Sequence, residues 1–148
     1  MNPIIEYSNT LHRQPVIDLW NRVFGYDTAH NTPALAIDKK IEENDGLFFV
    51  ALADEQLIGT LMAGYDGHRG WLYSLAVDPQ QRRRGTGRAL VRHGELALGE
   101  RGCLKINLQI VSSNASVQGF YQALGYQVEP RISMGKVLTA NIPEHLRN

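Results

Sequence analysis

Residues 82–88 read Arg-Arg-Arg-Gly-Thr-Gly-Arg, a run of cations followed at once by two glycines one residue apart. Such a stretch has the chemistry to hold an anion. Glycines remove the Cβ atoms that keep a ligand away from the backbone, and guanidinium groups add charge-assisted hydrogen bonds. From Arg88 onward, Leu90, Gly94, Ala97 and Leu98 recur at helical spacing up to Arg101. The loop's N–H groups therefore belong to a first helical turn, where they lack intrahelical acceptors and sit at the positive end of the dipole. That is a phosphate site. A glycine-softened turn with solvated arginines is the competing reading. Two other phosphate loops fit poorly. A P-loop ends in Gly-Lys-Ser/Thr, which "GTGRA" lacks. A dinucleotide loop follows a first parallel strand and needs Gly or Ala where Leu90 stands.

The rest of the composition narrows the polyanion to a small one. Fifteen basic and fifteen acidic residues cancel, whereas nucleic-acid binders usually carry a net basic field. Repeated exposed aromatics for stacking on RNA are also missing, so no nucleic-acid partner is expected. The single cysteine, Cys103, cannot form an intrachain disulfide and has no metal-ligand cluster around it. It reads as a small buried apolar residue, and no metal is expected. Apolar runs are too short to span a membrane, and "MNPIIEYSNT" lacks a signal-peptide pattern. A cytoplasmic protein without a membrane partner is the expectation.

The loop must be positioned by the elements around it. "PIIEYSN" reads as a first strand, and Val16, Leu19, Trp20 and Val23 define a helix over Thr10 to Phe24, with Pro15 tolerable in a first turn. A second helix is predicted from Pro33 to Asn44. "LFFVALAD", "EQLIGTLMAGYD" and "WLYSLAV" come next as three strands, antiparallel because their connections are short. After the glycine-loop helix, in which Gly94 and Ala97 would allow close packing on a sheet, comes the strand "CLKINLQIV". A helix in "SSNASVQGFYQALG" and one or two strands in "YQVEPRISMGKVL" complete the chain. With 148 residues, no repeats and no linkers, this describes one α/β domain over residues 1–148.

Two motifs together suggest a family. "LAVDPQQRRRGTGRALV" resembles the acetyl-CoA pyrophosphate loop of the GNAT superfamily of N-acetyltransferases, Arg/Gln-x-x-Gly-x-Gly/Ala, here Arg82-Arg83-Arg84-Gly85-Thr86-Gly87. One strand later, "NASVQGFYQALGY" is similar to Asn-x-x-Ala-x-x-Phe-Tyr-x-x-x-Gly-Phe, with Val117 and Tyr126 as departures. "AGYDGHRG" is also similar to wording in a bacterial subgroup of the YpeA type. The resemblance covers nearly the whole chain. It implies an α/β (α+β) fold with a mixed central sheet of about six to seven strands flanked by about four helices.

It also implies direct transfer of an acetyl group from acetyl-CoA to a primary amine of a small molecule, amino acid or peptide, without a metal. Amides from Arg83 to Arg88, with Arg82, would hold the pyrophosphate. Leu75, Ala76 and Val77 would offer backbone hydrogen bonds to the pantetheine and acetyl carbonyl, where the strand before the loop splays from the next one. Such an amide also stabilises the developing oxyanion. Tyr121 would protonate the departing thiolate; its other reading is a core residue beside Phe120 and Leu124. Asn114, seven residues earlier and on the same helical side, would contact the pantetheine region or simply cap its helix. The general base is unassigned: Gln109 stands where some relatives have glutamate, and Asp66, His68 and water are the candidates. Tyr26, Asp27 and His30, in "FGYDTAHNTP", would face the acceptor or form a solvated connector. A homodimer stays open, and the alternative function is a non-catalytic acyl-CoA-binding module.

Overall fold

The computed structural model describes residues 2–25 and 29–147, and the chain divides into two units, Met1–Leu108 and Gln109–Asn148. The first contains β1 (Ile4–Glu6), α1 (Asn9–Val23), α2 (Pro33–Glu43), β2 (Phe48–Ala53), β3 (Gln56–Tyr65), β4 (Gly70–Val77), α3 (Thr86–Glu100) and β5 (Ile106–Leu108). Spatial order matches chain order in a five-stranded sheet. The first three pairings are antiparallel and β4–β5 is parallel. Asp54 and Glu55 both take left-handed φ, 49° and 67°, as a two-residue hairpin between right-twisted strands requires.

Strand alternation sorts the core onto two faces. Phe48, Val50, Met62 and Ala76 cluster with Val16, Leu19 and Trp20 of α1 and Ile37 of α2. Phe49, Leu61 and Leu72 serve the opposite face, under α3. There the rings of Phe49 and His93 meet edge-on at 4.6 Å. A Cβ at Gly94 would lie 2.8 Å from Leu61 Cδ2, so the helix sits this close only because position 94 has no side chain. Helix α1 begins at Asn9, which puts Pro15 in the helix interior rather than the first turn. The carbonyl of Leu11 thereby loses its helical donor, at a residue 70% exposed, where water can replace it.

The second unit holds α4 (Ala115–Ala123) and two single helical turns, Thr139–Asn141 and Glu144–Leu146. The final strand or strands expected in 126–138 do not form, so the described residues give five strands rather than six or seven, with four α-helices. A strand exists only by pairing. In this segment Arg131 N–H bonds locally to Glu129 O, and Ile132 and Met134 are each 91% exposed. Strand β5 is likewise shorter than the apolar run around it, and Leu104 lies outside it. Cys103, expected to be buried, is half-buried, with its thiol 3.3 Å from Lys105 O. Among the described residues, no helix is long and apolar enough to cross a membrane.

Candidate functional site

Strand β4 ends at Val77, and Asp78 organises the turn after it. Its Oδ1 accepts from Gln80 N–H at 3.0 Å, capping a single helical turn, Pro79–Gln81, while Oδ2 pairs with Arg22 of α1 at 3.2 Å. The chain then passes through left-handed φ at Arg83 (65°) and Gly85 (81°). Gly85 is the residue before α3, and no side chain caps the helix there. The first helical bond runs from Ala89 N–H to Gly85 O, 2.9 Å. The N–H groups of Thr86, Gly87 and Arg88 precede it and have no acceptor within the helix. Thr86 is buried, Gly87 half-buried, and Arg82, Arg83, Arg84, Gly85 and Arg88 are exposed. None of the ion pairs among the described residues involves these arginines. Three free amides, four cations and a helix dipole of the right sign converge on one loop. Such an arrangement suits an anion.

Behind the loop, β4 is irregular in a way the sequence did not announce. Thr60 pairs with Ala76 but Met62 pairs with Tyr73, so Leu61 faces two residues, Ser74 and Leu75. This is a β-bulge, with Ser74 at φ 53°, a conformation uncommon for a residue other than glycine. The bulge reverses the phase of the strand: Leu72 points to the α3 face, and Ala76, four residues on, to the α1 face. Pairing with β5 stops at Leu72↔Leu108, so among the described residues no strand pairs with that edge of β4 beyond Leu72. Asp78 N–H donates to Ile58 O on β3 at 2.8 Å. Backbone groups alternate between edges, so Ala76 also faces β3, whereas Leu75 and Val77 present theirs to the edge that β5 does not pair. Of the three strand residues expected to bind pantetheine, two therefore have backbone groups on that edge.

In the second unit, Asn114 is the N-cap of α4. Its Oδ1 accepts from Val117 N–H at 3.2 Å and from Ser116 Oγ at 3.2 Å. Tyr121 lies two turns on, with ring centroids 5.0 Å from Phe120 and 5.5 Å from Tyr126, both edge-on. It is 7% exposed, and burial pushes its phenol up to about 12. Gln109 donates its amide to Ser133 Oγ at 2.7 Å.

The hairpin carrying Asp66 and His68 is closed on itself. Asp66 Oδ1 accepts from the N–H groups of His68 and Arg69 at 2.7 Å each, and Oδ2 from Trp71 Nε1 at 3.2 Å. The backbone bonds from Arg69 and His68, then that from Trp71, pull its carboxyl down to about 2. A carboxylate so held is a poor proton acceptor at neutral pH. Of the residues expected to face the acceptor, Tyr26 and Asp27 lie outside the described residues. His30 sits exposed in a single helical turn, Ala29–Asn31.

Sequence reading missed Asp78, Thr60 and Ser74. The first had a signal, because Asp before Pro is a start-of-helix pattern. Nothing local marks the other two.

The fold recurs in solved structures. The aminoglycoside N-acetyltransferase AAC(6')-Iy, in complex with CoA, matches at TM-score 0.75 and 23% identity, over 93% of this chain and 95% of that one. The PaiA N-acetyltransferase from Thermoplasma acidophilum, in complex with coenzyme A, matches at TM-score 0.77 and 19% identity, over 89% and 93%. The ribosomal-protein-S18-alanine N-acetyltransferase from Escherichia coli matches at 0.68 and 25%, over 84% and 77%. A sequence model of the Acetyltransferase (GNAT) family covers residues 13–126, well over half of the chain. The chain with the bulged β4 and the arginine-glycine loop therefore belongs to the GNAT acetyltransferase family.

Proposed function

We propose that this protein transfers the acetyl group of acetyl-CoA directly to a primary amine of a small molecule, amino acid or peptide. The observation that carries the reading is the joint placement, on one strand-loop-helix unit, of the uncapped α3 amides and the Leu75–Val77 edge that β5 does not pair. The amides of residues 83–88, with the guanidinium of Arg82, take the pyrophosphate. Leu75 and Val77 take the pantetheine and acetyl carbonyl by backbone hydrogen bonds, with Ala76 holding the strand to β3. The amide beside the carbonyl stabilises the oxyanion as the amine attacks. Asn114 contributes its amide group to the pantetheine region while its Oδ1 caps α4. The β3–β4 hairpin, "AGYDGHRG", supports placement in the YpeA-type subgroup.

Tyr121 is the proposed proton donor to the leaving thiolate. Burial keeps its phenol protonated to about 12, so the donor form persists throughout a normal assay range. The same burial makes the acid weaker. Against a thiol near 8.5, transfer is uphill by about 5 kcal/mol, so proton movement has to accompany departure of the sulfur. An amine of lysine type is neutral only about once in 10³ molecules at pH 7. With Asp66 a poor proton acceptor and Gln109 unable to take a proton, His68 and water are the remaining routes by which the amine loses its proton.

The test is a CoA-release screen over amines, amino acids and peptides, run with Tyr121→Phe. We expect one acceptor class to give turnover and the variant to lower kcat about 10²-fold, as for loss of one general acid, at unchanged acetyl-CoA KM. Acetyl-CoA binding with no turnover across the panel would favour the acyl-CoA-binding module. Near-normal turnover in the variant would assign the proton to another group.

A further inference from the structure

The bulge in β4 is held by two side chains outside the loop and the proposed proton donor. The carbonyl of Ser74 accepts from Thr60 Oγ1 at 2.9 Å, and Thr60 Oγ1 in turn accepts from Trp20 Nε1 at 2.8 Å. Both residues are fully buried. Thr60 is the one polar side chain in the otherwise apolar stretch Ile58–Ala63, and its hydroxyl donates once, to Ser74 O, and accepts once, from Trp20 Nε1. A buried hydroxyl aimed at one carbonyl in a strand of apolar neighbours calls for a reason.

The geometry supplies one. A trans peptide is planar, with its C=O and N–H pointing in opposite directions, and the described residues contain no cis bond. Turning the Ser74 carbonyl toward Thr60 on β3 turns the Leu75 N–H away from it, to the edge that β5 leaves uncovered. Ser74 pays for this with a left-handed φ, and without the hydroxyl its carbonyl would lose the partner that fixes the flipped peptide.

We propose that Thr60 and Trp20 are positioning residues for the acyl donor: the Trp20–Thr60–Ser74 chain of hydrogen bonds fixes the Leu75 N–H at the acetyl carbonyl. This rests on the acetyl-CoA reading above, and it predicts discrimination between acetyl-CoA and CoA that comes from the interior of the fold. CoA lacks the carbonyl, so disturbing the chain changes the affinity for one and not the other.

The experiment is calorimetric titration of acetyl-CoA and of CoA into the parent, Thr60→Val and Thr60→Ser. Valine keeps the shape and removes the hydroxyl; serine keeps the hydroxyl. The ratio of acetyl-CoA to CoA affinity should fall about fivefold in Thr60→Val, the worth of one neutral hydrogen bond. CoA affinity should stay within about twofold, and Thr60→Ser should restore the ratio. A general loss of packing would weaken both ligands together. A folded Thr60→Val with the parental ratio overturns the proposal. A second measurement needs no variant: in ¹⁵N-leucine-labelled parent protein, the Leu75 amide proton should move downfield with acetyl-CoA and not with CoA. An unmoved Leu75 resonance in the saturated acetyl-CoA complex also overturns it. Failure of the parent to bind either ligand is a different result, because it removes the acetyl-CoA reading itself.

Discussion

Strand β4 is entered from one charged, glycine-bearing turn, Asp66–Arg69, and leaves into another, Asp78–Arg88. In the first, the carboxylate of Asp66 collects two backbone N–H groups and an indole, and the turn closes on itself. In the second, Asp78 is consumed in the same way by Gln80 and Arg22, but the residues after it turn outward. Their amides precede the first helical bond, and among the described residues their guanidinium groups lack carboxylate partners. Charge and glycine alone do not make a ligand site. What separates the two turns is whether their donors are already matched within the fold.

The largest effect should come from placing an acceptor where the second turn has only donors. Gly87→Glu puts a carboxylate among the free amides, and acetyl-CoA affinity should fall at least about 100-fold, about 3 kcal/mol. The fold should survive, because an acidic side chain suits the first turn of a helix. Titration and thermal melting together decide it: a folded variant with parental affinity would falsify the loop's assignment.

A smaller loss is expected when the charges go and the amides stay. Replacing Arg82, Arg83 and Arg84 together with alanine should weaken acetyl-CoA about tenfold and flatten the dependence on salt, since exposed guanidinium groups act through a screened field. A loss as large as that of Gly87→Glu would mean that the arginines, not the backbone, are the site.

The first turn should respond in stability and not in binding. Asp66→Asn is expected to leave acetyl-CoA affinity within about twofold and to lower Tm at pH 7. Because the folded state holds the Asp66 carboxyl at about 2, below its ordinary value near 3.9, its contribution is present above about pH 4 and disappears as pH falls toward 2. The Tm gap between parent and variant should therefore close over that interval. A gap independent of pH would show that the amide substitutes poorly for reasons other than charge.

The sequence by itself determined the parts of this protein that depend on neighbours in the chain. Helical spacing of Val16, Leu19 and Trp20, the hairpin pair Asp54–Glu55, the small residue at Gly94 and the start of α3 after Gly85 all come from local periodicity and backbone freedom. The arginine-glycine loop was legible for the same reason, since its amides are free wherever a helix begins. Pairing was not legible. An apolar, alternating segment such as 126–138 looks like a strand whether or not a partner edge exists, and here none forms among the described residues. The bulge at Ser74 is likewise invisible in "WLYSLAV". It appears only when β3 brings Thr60 against a carbonyl 14 residues away in the chain, and α1 brings Trp20 against Thr60, 40 residues away. Tertiary structure decided the direction of the Leu75 N–H, because a peptide's orientation in a sheet is fixed by hydrogen-bond partners that only folding brings together.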